Sequence, residues 1–179
     1  RRGRPRLVGR GEDAEGAVTA TSEVRPTDEA IRGALAAFTG EITQTPPAYS
    51  ALKIDGQRAY DLARAGEAVE MKPRKVTIER LELVGRPDRD HADFVVACGK
   101  GTYIRSLGRD MALALGTVGH LSALRRTAAG PFREEAAISL SKLEALGHIP
   151  ALLGVLAPVA TALDDIPALA LTEAQADRL

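Results

Sequence analysis

The sequence predicts an α+β protein, a mixed and mostly antiparallel sheet flanked by helices. Three observations lead there. Two stretches of strand periodicity, around Val76 to Leu83 and Phe94 to Cys98, flank the polar turn Arg86-Pro87-Asp88-Arg89-Asp90, the pattern of an antiparallel hairpin. Helical stripes bracket that hairpin, with Ile31, Leu35 and Phe38 before it and Ser106 to Leu115 after it. The composition, 45% hydrophobic and 27% charged over 179 residues, is that of a globular chain long enough for one domain with its own core and part of a second.

Each element follows in chain order. Residues 1 to 10 hold Arg1, Arg2, Arg4, Arg6 and Arg10 among Gly and Pro, without helical or strand periodicity, and are expected to be disordered and outside the core. A turn at Glu15-Gly16 precedes a short strand ending near Val24. Thr27 can cap a helix running to about Thr39, which Gly40 stops. Pro46-Pro47 forbids a helix and favours extended backbone. A strand over Tyr49 to Lys53 then turns at Ile54-Asp55-Gly56, and Arg58 to Arg64 reads as a short helix. In the hairpin, Val76 and Ile78 share one parity and Leu81 and Leu83 the other, so a bulge is expected near Arg80.

The return strand places Phe94, Val96 and Cys98 on one face and is expected to continue, well buried, from Ala92 to Arg105. Ser106 to Leu115 is a helix with Gly116 as its stop. His120 to Arg126 turns Leu121 and Leu124 inward, and Ala128 to Phe132 is extended. Ser139 to Leu146 is a short helix using Leu140, Leu143 and Leu146, ended by Gly147. Pro150 to Pro167 reads as a connector, and Thr172-Glu173-Ala174-Gln175 is a capping box.

Several chemistries find no support in the sequence. His91, His120 and His148 lack partners at metal-ligand spacing, and Cys98, the single cysteine, can form neither an internal disulfide nor a zinc site. A reducing cytoplasm suits a lone cysteine. There is no Gly-rich phosphate loop and no dinucleotide fingerprint, and Ser50 and Ser106 lack a nucleophile-elbow context. Asp164-Asp165 reads as a solvated turn. The longest apolar stretch, Ala151 to Leu163, is too short for a bilayer and is broken by Pro158. Formal net charge is +0, yet Lys100 to Arg133 carries Lys100, Arg105, Arg109, Arg125, Arg126 and Arg133 against Asp110 alone. That local excess fits a phosphate-facing surface, and equally a solvated face.

The stretch from Cys98 to Phe132 organises the rest. Along an extended segment Tyr103 and Arg105 would share a face. A ring can stack on a nucleobase, and a guanidinium can fork onto a carboxylate or phosphate. A lone Tyr-x-Arg is more often a packing residue beside a solvated cation, so the context decides.

That context resembles a known family. Gly40-Glu-Ile-Thr-Gln-Thr-Pro-Pro-Ala-Tyr-Ser-Ala-Leu-Lys53, Gly56-Gln-Arg-Ala-Tyr60, Ala63-Arg64-Ala65-Gly66, Lys100-Gly-Thr-Tyr-Ile-Arg-Ser-Leu107 and Leu124-Arg-Arg126 resemble, in order and spacing, the motifs of TruB-type tRNA pseudouridine synthases. The resemblance runs from about Gly11 to Phe132 and thinly beyond. It implies the pseudouridine synthase catalytic-domain fold over residues 11 to 147. Residues 148 to 179 would be a connector and the start of a truncated, PUA-like RNA-binding domain. It further implies isomerisation of the T-loop uridine of tRNA by a cytoplasmic monomer, without metal, organic cofactor or membrane.

By the same resemblance, Tyr103 packs on the uracil and assists removal of its ring proton, and Arg105 pairs with the nucleophilic Asp. Leu124 supplies an apolar wall, and Lys53, Arg125 and Arg126 meet phosphates. The family's Gly-x-Leu-Asp-Pro motif, which carries that Asp, does not occur in these 179 residues. Asp55 and Asp110 read as turn and helix-surface residues. The expectation is therefore a part of a synthase that is inactive alone. The alternative is a non-catalytic tRNA-binding or RNA-folding module on the same scaffold. A buried Arg105 without its carboxylate would cost on the order of 3–5 kcal/mol and loosen its surroundings.

Overall fold

The computed structural model describes residues 6–9, 18–47, 49–50, 52–54, 57–59, 61, 71–147, 152–163, 166, 172 and 175. The chain divides into two compact units, Arg1–Ala123 and Leu124–Leu179.

The first unit is built on a three-stranded antiparallel sheet. Strands β1 (Arg6–Gly9) and β2 (Val18–Ser22) form a separate antiparallel pair, Arg6 opposite Ser22 and Val8 opposite Ala20. Antiparallel pairing at residues 6–9, with a register shift between Val8 and Gly9, differs from the expected structureless start: backbone hydrogen bonding to β2 organises a segment whose side chains carry no strand pattern. Helix α1 (Asp28–Leu35) begins at Thr27, whose hydroxyl accepts from the Ala30 amide, and passes into a 3-10 turn over Ala36–Phe38. Gly40 then adopts φ +89, a left-handed conformation that L side chains resist, and opens β3 (Gly40–Gln44). A short hairpin follows, β4 (Lys53–Ile54) against β5 (Gln57–Arg58). The expected strand over Tyr49 to Lys53 is confined to the last of those residues. The expected turn residues Asp55-Gly56 and most of the helix expected over Arg58 to Arg64 lie outside the described residues.

The centre of the sheet is β6 (Arg74–Asp88), between β3 and β7 (His91–Cys98). Its register with β7 shifts between Ile78 and Arg80, the bulge that the change of apolar parity predicts. Because of it Val76, Ile78, Leu81 and Leu83 are all buried; an unbroken pleat would have turned two of the four to solvent. At the hairpin tip the Asp88 carboxylate accepts from the amides of Asp90 (2.7 Å) and His91 (2.9 Å). The His91 ring, foremost, and the Asp90 amide hold the Asp88 carboxyl below its ordinary range.

The strand expected from Ala92 to Arg105 ends at Cys98, and its inward residues are half-buried. The Gly99–Gly101 turn leads directly to helix α2 (Ile104–Ala114), which starts two residues earlier than the sequence pattern suggested. Its apolar stripe packs on the sheet: Ile78, Leu81, Leu107 and Met111 form the core, with Leu35, Phe38, Ile42, Phe94, Val96 and Cys98 around them. Gly119 runs so close to this helix that a Cβ would lie 3.0 Å from that of Ala112.

The second unit holds a small hairpin, β8 (Ala128–Ala129) against β9 (Phe132–Arg133), turned at Gly130 with φ +57. Helix α3 (Leu140–Leu146) starts at Ser139, which caps the Lys142 amide, and ends at Gly147 with φ +60. Of its leucines, Leu140 is 77% exposed, Leu143 also faces out and Leu146 is half-buried. Leu124 is likewise 63% exposed rather than inward. At Thr172 the amide donates to Gln175 Oε1 (2.9 Å), half of the expected capping box.

Leu107→Ala removes the apolar contact between α2 and the sheet. Urea denaturation of a folded protein carrying it should show a loss of about 2–5 kcal/mol, while Leu113→Ala, on the exposed side of the same helix, should stay within about 0.5 kcal/mol.

Candidate active site

Tyr103 and Arg105, which sequence reasoning singled out, lie at the junction between β7 and α2. The Gly99 amide closes on the Thr77 carbonyl (2.9 Å), and Gly101 takes φ +82. That left-handed residue breaks the strand and starts the helix. Tyr103 is consequently the helix N-cap, with φ −97 and ψ 110, and Arg105 is the second helical residue. The alternating-face geometry expected of Tyr103 and Arg105 is thus replaced by a helix start, because the Lys-Gly-Thr turn cannot continue the pleat.

The backbone of Tyr103 is held by one side chain. Gln44, at the end of β3 and 1% exposed, accepts from the Tyr103 amide at Oε1 (2.8 Å) and donates from Nε2 to the Tyr103 carbonyl (3.1 Å). The Arg74 guanidinium lies over the Tyr103 ring, 5.0 Å from its centroid, and also donates to the Gly101 carbonyl. This cation–π contact adds to the backbone clamp.

Helix α2 also grips the Pro-Pro segment. Arg105 Nη2 donates to the Tyr49 carbonyl (2.9 Å), and Arg109 Nη2 donates to the Thr45 carbonyl (2.9 Å). The two arginines are four residues apart and so share a helix face. Pro46 and Pro47 are buried and offer no amide donor, so neighbouring carbonyls need side-chain partners. Arg105 is half-buried and holds the loop through its hydrogen bond to the Tyr49 carbonyl. Arg109 Nε also pairs with Asp110 (2.7 Å), which places Asp110 in a helix-surface ion pair. Two buried hydroxyls nearby in sequence, Ser50 and Ser106, find no hydrogen-bond partner among the described residues.

The remaining expected site residues are placed separately. The backbone of Lys53 pairs with Arg58 in β4–β5. Leu124, Arg125 and Arg126 belong to the second unit. There Arg125 is paired with Glu134 through Nε (3.0 Å) and Nη2, while Arg126 is exposed and in no ion pair among the described residues. No group of three His, Cys, Asp or Glu is placed to hold a metal ion among the described residues, and no described helix is long and apolar enough to cross a membrane.

Two residues of this site escaped sequence reasoning. Gln44 lies in a recognised motif but had no role there. Arg74 shares the parity of Val76 and Ile78, and a cation on the core-facing parity of a strand was the available signal.

An antiparallel sheet that hands Tyr103 and Arg105 to the start of a helix, beside a Thr-Pro-Pro loop, is the scaffold of a pseudouridine synthase domain, and known proteins bear this out. Residues 9–104 match the TruB family pseudouridylate synthase N-terminal domain, and residues 105–164 match the tRNA pseudouridylate synthase B C-terminal domain. The chain belongs to the TruB family. It is 60% identical over 173 residues to tRNA pseudouridine synthase B of Bradyrhizobium diazoefficiens, covering 94% of this chain and 50% of that protein. The Rhodospirillum rubrum protein of the same name is 55% identical over 178 residues, 97% of this chain and 58% of its own length. The chain thus spans about half the length of the curated relatives it matches. Among solved structures, a Cbf5-Nop10-Gar1 complex superposes with TM-score 0.62 at 28% identity, covering 89% of this chain and 41% of that one. An H/ACA RNP bound to a substrate RNA containing 2′-deoxyuridine superposes with TM-score 0.56 at 27% identity, covering 79% of this chain and 38% of that one.

Gly101→Ala forces a Cβ onto a left-handed residue, 3.5 Å from the Arg74 guanidinium. It should destabilise a folded protein by about 1–2 kcal/mol in chemical denaturation, whereas Gly33→Ala, in open space on α1, should stabilise it by about 0.5–1 kcal/mol.

Proposed function

We propose that the protein to which these residues belong isomerises the T-loop uridine of tRNA to pseudouridine, and that this chain supplies the tyrosine and arginine of the active centre. The supporting observation is the helix start at Tyr103, where ring and guanidinium are presented from a turn anchored at three points. The reaction breaks the bond between ribose and ring nitrogen, turns the uracil, forms a bond from ribose to ring carbon, and releases the proton of that carbon. It is redox-neutral, and by the family resemblance the reading includes no cofactor and no metal. A carboxylate must stabilise or trap the sugar, and the base must leave the stack to reach it. Tyr103 packs on the flipped uracil and assists removal of its proton. Arg105 orients the carboxylate, while holding the Tyr49 carbonyl with Nη2. That carboxylate is proposed to come from a Gly-x-Leu-Asp-Pro segment outside these 179 residues.

The exposed Leu124 is read as the apolar wall for the base, with Lys53, Arg125 and Arg126 toward phosphates of the T-arm. The protein is read as a cytoplasmic monomer. Residues 148 to 179 are read as the connector and beginning of a PUA-like domain. Absence of the Asp motif from this sequence favours the second reading for the isolated chain, a tRNA-binding or RNA-folding module without turnover.

Tritium release from tRNA labelled at the uracil carbon that joins ribose separates these readings. The chain alone should release none, and a version carrying the Asp segment should turn over. In that version Tyr103→Phe should chiefly slow proton removal, and Tyr103→Ala should also weaken the stacked base by about 1–3 kcal/mol. Arg105→Ala should lower the rate with little effect on RNA affinity. Turnover by the chain alone would return the search to the carboxylates present here.

Binding of a T-arm hairpin should weaken as salt rises, through counterion release. Arg126→Ala should flatten that slope by about one phosphate contact. Arg125→Ala should change it less, since Arg125 must first leave Glu134. A slope unchanged by both substitutions together would place the RNA elsewhere.

A further inference from the structure

We propose that Gln44 and Arg74 are positioning residues for Tyr103, forming a clamp that sets the ring's place and angle at the catalytic centre. The inference rests on the role proposed above for Tyr103. Gln44 satisfies both backbone polar groups of one residue, Tyr103, from a site almost wholly removed from water. A primary amide is suited to such a double contact, because its oxygen accepts from the N–H while its nitrogen donates to the C=O of the same residue. Glutamate could accept but not donate, and leucine of similar size could do neither.

The clamp also answers a local need. Tyr103 caps α2 without a side-chain cap of its own, and its carbonyl already accepts from the Leu107 amide (3.0 Å). Its N–H, at a position where a helix leaves amides unpaired, is the group Gln44 takes. Tyr103 is therefore fixed to the end of β3 rather than merely to its own helix.

Arg74 acts on the ring. Its guanidinium, held by the Gly101 carbonyl, lies over the ring. With one contact restraining the backbone and another restraining the ring, Tyr103 has little freedom to rotate away before a base arrives. Preorganisation of this kind lowers the barrier by sparing the reacting groups a search for their geometry. Ring and backbone restraints come from β6 and β3, two neighbouring strands, so the sheet itself carries the geometry.

The test uses the protein extended to include the Asp segment. Gln44→Leu, Gln44→Glu and Arg74→Met should each slow single-turnover tritium release by about 10–100-fold, with the KM for tRNA changed by no more than about twofold. Arg74→Lys should recover part of the loss. In a Tyr103→Ala background the same substitutions should cost no further rate, because the group they position is gone. Equal losses in both backgrounds, or a parallel rise in KM, would show a general folding role and overturn the proposal. Hydrogen exchange at the Tyr103 amide gives a readout independent of catalysis. Gln44→Leu should raise exchange there while β6 and β7 stay protected, and unchanged protection would overturn the Gln44 clamp. If Gln44→Leu does not fold, Gln44→Glu and Arg74→Met carry the same comparison. Should the extended wild-type protein release no tritium, the catalytic reading fails, and the exchange experiment still decides the clamp.

Discussion

The buried amide of Gln44 ties the end of β3 to the start of α2, and the functional end of the first unit depends on that tie. A net hydrogen bond contributes only about 0.5–1.5 kcal/mol, but a buried polar group left unpaired costs about 1–3 kcal/mol. The asymmetry makes the pairing near-obligatory: with Gln44 1% exposed, its oxygen and nitrogen have no water to fall back on. One side chain thereby decides where helix α2 begins relative to the sheet.

The arginines of α2 extend the same logic along the loop. The Thr-Pro-Pro segment contributes carbonyls without a matching set of amides, and Arg105 and Arg109 meet two of the carbonyls in and beside it. Their guanidiniums offer several donors each, and Arg105 uses one of them on the Tyr49 carbonyl. Structural support and candidate chemistry therefore fall on the same residue. Membership of the TruB family accounts for the order of the motifs; the hydrogen bonds account for why Gln44, the two prolines, Tyr103 and Arg105 must occur together.

Much of this was legible in the sequence. Thr27 as a cap, Gly40 as a stop, the hairpin of β6 and β7 and the bulge near Arg80 all follow from local rules: capping chemistry, positive φ and parity. The motifs that carry the family resemblance were also legible, and they span both residues of the candidate centre in the first unit. What failed was geometry read too locally. Alternation was extended through Gly101 to Arg105, although a glycine at φ +82 ends the pleat there. Leu124 was assigned to a core that does not cover it. Residues 6–9 pair with β2 although their side chains show no strand pattern, because the backbone alone supplies a ladder.

By itself the sequence determined the α+β class, the capped ends of α1 and α3, the sheet's central hairpin and the family. These rest on interactions between residues near in the chain, where periodicity and turn chemistry speak directly. Only the tertiary structure decided that Gln44 clamps Tyr103 from 59 residues away, that Arg74 lies over its ring, and that Arg105 holds the Tyr49 carbonyl. These partners meet because β3, β6 and α2 pack together, and no local pattern records which side chain a distant backbone group will find.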